Sequence, residues 1–175
     1  MKKYIIFFFT AVMLFFALEK YAYSNEVYFI DFSKVMNQSI AGKKAQDYLK
    51  KELTNSNKKF SDTAKKLREE ENKIISQKNV LDKAEYKKKA DALRKKVFNL
   101  NKERESSIKN IAAKRRKAKD ELFKNLNPIL GKYMEEKGIG IIVDKKNVLM
   151  GNKKFEVTSD VINILNKKLK SINLN

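Results

Sequence analysis

The side chains in this sequence that are best suited to bind another molecule are runs of cations. Lysine and arginine occupy consecutive positions at 87–89, 94–96 and 114–117. The 175-residue chain holds 40 Lys and Arg against 21 Asp and Glu, which gives a net charge of +19. Such a charge attracts anionic partners and speeds their capture. The runs as a group predict an anion-binding surface, whereas any single lysine is expected to be a solvated helix position.

The residue types that common catalytic and metal sites require are missing. The chain contains neither His nor Cys, which removes the usual zinc ligands, the Ser-His-Asp triad and cysteine nucleophiles. It also lacks a glycine-rich phosphate-binding loop. We therefore expect a protein that is not an enzyme and that needs no cofactor or metal.

The first 24 residues have the pattern of a secretory signal peptide. Lys2 and Lys3 precede an apolar block at residues 4–18, and the small residues Ala22 and Ser24 follow it. This block is shorter than the roughly 20 residues that a membrane-spanning helix needs. The pattern favours cleavage before Asn25 and export over an uncleaved membrane anchor.

The middle of the chain is predicted to be helical. Residues 43–127 contain neither Gly nor Pro, and they hold 27 Lys and Arg against 13 Asp and Glu, a net charge of +14. Apolar residues recur there at every seventh position, as in a coiled coil. The recurring residues are Leu53, Phe60, Leu67, Ile74 and Leu81.

A break in this repeat predicts that the helical segment folds back on itself. The stripe loses phase at residues 76–79, and Asp82 is followed three positions later by Glu85, which is the spacing of a capping box. We therefore predict an antiparallel helical hairpin over residues 43–127 with its tip near 76–82. One continuous helical rod is the alternative.

The two ends of the chain, residues 25–42 and 128–175, predict a small β-rich body. Asp31 and Asp144 are expected to end strands and cap turns, and Thr158 or Ser159 is expected to cap a closing helix. The predicted elements are strands at 27–32, 139–144 and 155–157, a hairpin partner at 147–150, and a helix at 160–170.

The predicted fold is therefore α+β, with a helical hairpin inserted into a small antiparallel β body. A body of this size buries only about 60% of its surface, and its short strands leave edges exposed. Self-association would cover those edges and enlarge the core into a barrel-like centre. The residues predicted to lie in this core or at the oligomer interface are Val27, Phe29, Ile141 and Val143.

Three anionic partners suit the basic hairpin: nucleic acid, an anionic lipid surface, or unfolded acidic protein. Export and the scarcity of aromatic stacking residues disfavour nucleic acid. The narrow apolar stripe leaves lipid as an accessory partner. Capture of polypeptide is favoured, and the residues predicted to contact it are Lys87, Lys88, Arg94, Lys95 and Phe98.

Both ends of the chain resemble the Skp/OmpH family of periplasmic chaperones. The opening resemblance covers residues 28–37 and 41–46, and the closing one covers 136–138, 141–144, 148–149, 157–158 and 161–162. The resemblance implies a periplasmic homotrimer whose three helical hairpins enclose a cavity. It also implies that the protein, like members of that family, holds unfolded outer-membrane β-barrel proteins without ATP. Family members are also associated with lipopolysaccharide, although no local motif here carries that property.

The function that the sequence favours is therefore an ATP-independent holdase for unfolded outer-membrane proteins. A structural coiled coil of the cell envelope is the alternative. The two differ in shape, because the first implies a closed trimer and the second an elongated rod or filament.

Overall fold

A computed structural model describes residues 24–174. The predicted signal peptide lies outside the described residues, except for Ser24, which begins the first strand. The described residues divide into two compact units, which we call the body (24–39 and 123–170) and the arm (40–122 and 171–174). The elements in chain order are β1 (Ser24–Ile30), α1 (Phe32–Gln38), α2 (Ile40–Ser76), α3 (Lys83–Lys137), β2 (Ile139–Asp144), 3-10 turns at Lys145–Asn147 and Lys153–Phe155, and α4 (Thr158–Lys168).

The arm is a hairpin of α2 and the first part of α3. In the contacts between the helices, the residue number on α2 increases as the residue number on α3 decreases. The two helices therefore run antiparallel. The pairs are Glu52 with Lys114, Lys59 with Glu103, and Glu70 with Lys96. The predicted hairpin is confirmed, and a single continuous rod is wrong.

The turn of the hairpin lies between Ser76 and Lys83, where Asp82 caps the start of α3. The Asp82 carboxylate accepts hydrogen bonds from the backbone N–H groups of Ala84 and Glu85, both at 2.8 Å. These bonds satisfy two donors that the first helical turn leaves open. The side chain of Glu85 does not complete a capping box, because its carboxylate pairs with Lys89 at 3.5 Å.

The seam between the arm helices is apolar but intermittent. Its buried residues include Phe60 and Ile74 on α2, and Leu93 and Ile111 on α3. Leu53, predicted to lie on the seam, is instead 37% exposed. At mid-length the seam turns polar, because the Ser56 and Ser107 hydroxyls form a 2.7 Å hydrogen bond.

The C-terminal residues of the described chain close one end of this seam. Leu174 is buried in a cluster with Ala45 and Leu49 of α2 and with Ile111 and Ala118 of α3. The tail therefore contacts both helices of the hairpin, in addition to their contact with each other.

The sheet of the body is parallel, so the predicted antiparallel body is wrong. Strand β1 pairs with β2 in a two-stranded sheet, with Val27 opposite Ile141 and Phe29 opposite Val143. Parallel strands require a long crossover connection, and α1, α2 and α3 provide one here. The antiparallel prediction depended on a hairpin after β2, and that hairpin does not form.

Asp144 explains why no hairpin follows β2. Its side chain accepts a hydrogen bond from the Lys146 N–H at 3.2 Å and caps a 3-10 turn over Lys145–Asn147. Residues 148–150 consequently form no strand. Asp144 thus caps a turn as predicted, but the turn directs the chain away from β2.

A strand was predicted at residues 155–157, but only a single β-bridge joins this segment to the second edge of β1. The Val157 N–H donates to the Phe29 carbonyl at 3.0 Å, and Phe29 bridges Glu156 in parallel. Phe155 itself belongs to a 3-10 turn. The predicted edge strand is therefore reduced to one point of pairing.

The closing helix α4 begins at Thr158, which is two residues earlier than predicted. Neither Thr158 nor Ser159 is its N-cap, because Val157 occupies that position without a side-chain bond. The Thr158 hydroxyl is engaged elsewhere: it accepts from the Asp31 N–H at 2.9 Å and donates to the Glu156 carboxylate at 3.0 Å. This link joins the end of β1 to the start of α4.

Helices α1 and α4 form the core of the body together with the end of α3. Val35 on α1 is fully buried, as are Val161 and Leu165 on α4. The Tyr133 hydroxyl of α3 donates to the Asp160 carboxylate of α4 at 2.8 Å. Pro128 lies within α3 without ending it, and Gly138 ends the helix with a φ of 63°, which a glycine adopts without strain.

Candidate functional site

The five residues predicted to contact a polypeptide are exposed, but they do not converge on one point. Lys87, Arg94 and Phe98 are spaced by seven and four residues, which places them on one stripe of α3. Lys88 and Lys95 each follow one residue later and are turned by about 100° around the helix. All five belong to the exposed class of side chains.

Phe98 lies at an open crevice between the two helices of the arm. Its side chain is 67% exposed, and the neighbouring Val97 is 41% exposed. The crevice has a volume of about 630 Å³. The residues lining it are mostly apolar and are Ala64, Leu67, Arg68, Glu71, Leu93, Arg94, Val97, Phe98, Leu100 and Asn101.

Phe98 was predictable from the sequence, whereas the crevice beside it was not. A coiled-coil seam needs one apolar residue per turn, and the adjacent pair Val97 and Phe98 supplies two. This surplus was the available signal that apolar area would remain uncovered. The small residue Ala64 on the facing helix was a second signal, because a short side chain leaves space at a seam.

On the opposite face of the hairpin, ion pairs join α2 to α3. They connect Glu70 to Lys96 at 2.7 Å, Lys59 to Glu103 at 3.6 Å, and Glu52 to Lys114 at 3.3 Å. The Lys114 ammonium also donates to the Tyr48 hydroxyl at 2.9 Å. Hydrogen bonds to Tyr48 and Glu52 raise the pKa of Lys114, which keeps this group charged.

The residues predicted to form a core or an oligomer interface separate into two groups. Phe29 is buried and Val143 is half-buried, so both belong to the interior of the body. Val27 and Ile141, which oppose each other in the sheet, are 49% and 55% exposed. For this exposed pair the oligomer interface stays a prediction.

A second exposed apolar segment follows β2. Leu149 and Met150 are almost fully exposed, and they precede Gly151. A Cβ atom on Gly151 would lie 2.8 Å from the Phe29 ring, so only glycine lets the chain pass this close to β1. Gly151 therefore lets the chain that follows Leu149 and Met150 pass close to the Phe29 ring.

Two further kinds of site were sought in residues 24–174. Within this range no group of three or more Asp, Glu, His or Cys residues is arranged to hold a metal ion. No helix in the same range is long and apolar enough to cross a membrane.

These features define a class of protein in which a small two-stranded body carries a long, basic helical hairpin. The family described as "Outer membrane protein (OmpH-like)" matches residues 26–165. The match covers most of the 175 residues, and the chain belongs to the OmpH-like family. The resemblance found in the sequence is thereby confirmed.

A solved structure with the same fold is available for comparison. It is the crystal structure of an OmpH-like protein from Caulobacter crescentus CB15, which was proposed to be an outer membrane chaperone. The TM-score is 0.77 at 18% sequence identity, and the match covers 84% of this chain and 87% of the other. A comparison with curated proteins found no match.

Proposed function

We propose that this protein is an ATP-independent periplasmic holdase chaperone that captures unfolded outer-membrane proteins and prevents their aggregation. The observation that carries the proposal is a strongly basic arm whose exposed surface also holds an apolar crevice. Membership of the OmpH-like family supports it. The description of the structurally similar Caulobacter protein as a proposed outer membrane chaperone points in the same direction.

The charge of the arm suits capture of an acidic chain. Residues 43–127 carry 27 cations against 13 anions. The cations therefore exceed the anions by 14, and three of the acidic groups already pair across the hairpin. An unfolded acidic polypeptide would be attracted over a distance of about 10 Å at ordinary ionic strength.

Holding without ATP follows from contacts that are individually weak. Exposed ion pairs contribute about 0–1 kcal/mol each, so no single cation retains the client. Many such contacts together keep the client bound while each one exchanges freely. Lys87, Lys88, Arg94 and Lys95 are proposed to make these contacts, with Phe98 adding apolar area.

Self-association into a homotrimer is part of the proposal. The exposed pair Val27 and Ile141 and the exposed segment Leu149–Met150 give the body apolar area that a second copy would cover. Three arms would then surround a common space with basic walls. Anionic lipid or lipopolysaccharide is proposed as an accessory partner, and nucleic acid is not expected as a partner because the protein is proposed to be exported.

The proposal is tested by mixing the protein with a urea-unfolded outer-membrane β-barrel protein and following light scattering after dilution. At near-stoichiometric ratio and without nucleotide, we expect aggregation to be suppressed. High salt should weaken the suppression, because it screens the basic arm. Aggregation that proceeds unchanged would refute the proposed function, and elongated rods or filaments without client binding would favour the structural coiled coil.

A further inference from the structure

The two faces of the arm hairpin differ in chemistry, and this difference assigns them different roles. We define the paired face by the three ion pairs that join α2 to α3, and the crevice face by the open crevice at Val97 and Phe98. On the paired face these six ammonium and carboxylate groups already have partners. On the crevice face much of the surface is apolar and uncovered.

Several exposed apolar side chains of the arm lie on the crevice face. Val97 and Ile108 are eleven residues apart on α3, which is three helical turns and returns to the same side. Phe98 is 67% and Ile108 is 55% exposed. On α2, Ile75 follows Arg68 and Glu71 at helical spacing and is 56% exposed.

The cations at the crevice are not tied to the facing helix, in contrast to the three lysines of the paired face. Arg68 has no acidic partner within the described residues, since no ion pair or hydrogen bond of its side chain is found there. Arg94 contacts only Asp91 of its own helix, at 2.8 Å, and both groups are largely exposed. Exposed pairs of this kind are weak and exchange readily with another carboxylate. Glu71 is the acidic residue of the lining, and it leaves the two arginines in excess.

A client that placed its carboxylates on the paired face would compete with carboxylates that already pair across the hairpin, so it would exchange one weak ion pair for another. A client that approached the crevice face would cover apolar area that is already exposed, and covering apolar area is the main favourable term in association. It would also place its carboxylates near Arg68 and Arg94 without displacing a bond between the helices.

We propose that the crevice face is the client-binding face of the arm, and that it takes extended segments of unfolded polypeptide in which large apolar side chains alternate with acidic ones. An extended segment presents successive side chains to opposite sides. Its apolar residues would enter the crevice at Phe98, Val97 and Leu93, and its carboxylates would pair with Arg68 and Arg94. The inference rests on the proposed holdase function and adds to it the face that contacts the client.

The absence of tryptophan from the chain gives the test a clean optical signal. The protein is produced from the full-length chain as three single-tryptophan variants. Phe98→Trp and Ile108→Trp probe the crevice face. Ser106→Trp lies on the same helix, at a groove on the paired face, and is the matched control. The probe is a urea-unfolded outer-membrane β-barrel protein that carries a fluorescence quencher.

We expect the client to quench the tryptophan at 98 and at 108 and to leave the one at 106 nearly unchanged. Equal quenching at all three positions, or stronger quenching at 106, would overturn the inference. If the unsubstituted protein itself fails to keep the client soluble, the proposed function is refuted. The fluorescence result and the solubility result therefore report separately on the two claims.

A binding measurement gives a second, independent test. Because both side chains are exposed, Val97→Ser with Phe98→Ser should leave the helical circular dichroism intact while weakening client affinity by roughly tenfold. Lys59→Gln with Glu103→Gln removes a cross-helix pair on the other face, and we expect affinity to stay within about twofold. A larger loss from the Lys59 and Glu103 variant than from the Val97 and Phe98 variant would contradict the assignment.

Discussion

The body and the arm bury their apolar residues in two different ways. In the body, Val35 on α1 packs in a core with Val161 and Leu165 on α4, although the two helices are more than 120 residues apart in sequence. In the arm, burial is confined to a thin and interrupted stripe that includes Phe60 and Leu93. The body therefore depends on distant residues meeting, whereas the arm repeats one local contact along its length.

This difference separates stability from binding. A fully buried core loses several kcal/mol of stability when one side chain is truncated, so substitutions in the core of the body are strongly destabilising. A long hairpin with a narrow seam keeps most of its side chains in solvent, where substitutions have small effects on stability. The arm can therefore carry the basic and apolar surface that is proposed for client binding.

The largest effect is expected from truncation in the body core. Leu165→Ala should lower the free energy of unfolding of the body by about 2–5 kcal/mol, because it leaves a cavity where the side chain was fully buried. Leu93→Ala in the arm should cost less, because the crevice beside Leu93 lets the site collapse or fill with water. Urea unfolding followed by circular dichroism measures both. Equal losses would show that the arm seam is as tightly packed as the body.

The next effect concerns the hydroxyl that links β1 to α4. Thr158→Val should cost about 1–3 kcal/mol, because it leaves the Asp31 N–H without its acceptor. Thr158→Ser keeps the hydroxyl and is the matched control, for which we expect a smaller loss. The same urea titration compares the two variants, and equal losses would mean that the methyl group matters more than the hydrogen bond.

A smaller, pH-dependent effect is expected at Tyr133 in the body. Burial, together with the hydrogen bond to Asp160, raises the pKa of Tyr133 from 10.0 to about 12. The folded state thus favours the neutral phenol, so this contribution to stability is complete below pH 10 and is lost as the pH rises through about 12. Tyr133→Phe should cost about 1 kcal/mol at neutral pH through the lost hydrogen bond.

Thermal unfolding measured between neutral pH and pH 12 checks the Tyr133 prediction. The unsubstituted protein should lose stability above pH 10 more steeply than Tyr133→Phe does, so the two curves converge. Parallel curves would show that Tyr133 does not titrate with folding.

The smallest effect is expected at the tip of the arm. Asp82→Ala should cost about 1 kcal/mol, because it removes the cap of two N–H groups at the start of α3. Hydrogen exchange should accelerate at Ala84 and Glu85 and stay unchanged in the body. Acceleration that spread to α4 would contradict the separation of body and arm, and Asp82→Asn is the control that keeps an acceptor.

Local signals in the sequence predicted the arm well. The seven-residue spacing and the cap at Asp82 act within one or two helical turns, so they are visible without knowledge of the fold. The sheet was harder, because the direction of β1 relative to β2 depends on a pairing across more than 100 residues. The Asp144 carboxylate accepts one hydrogen bond that caps a 3-10 turn where a hairpin was expected. The spacing of apolar residues in the sequence does not reveal such a bond.

The candidate site was predictable in composition but not in arrangement. The basic runs and Phe98 are visible in the sequence, yet the sequence does not tell which cations have partners. Glu70 lies 26 residues from Lys96, and that pair exists only because the hairpin brings the two residues together. The distinction between a paired face and a crevice face therefore required the structure.

Native mass spectrometry of the protein mixed with one unfolded outer-membrane β-barrel protein tests the central claim most directly. The proposed function predicts a complex of three copies of the chain with one client, formed without nucleotide and dissociated by high salt. Detection of the chain only as dimers, open polymers or client-free assemblies, with the client aggregated, would contradict it.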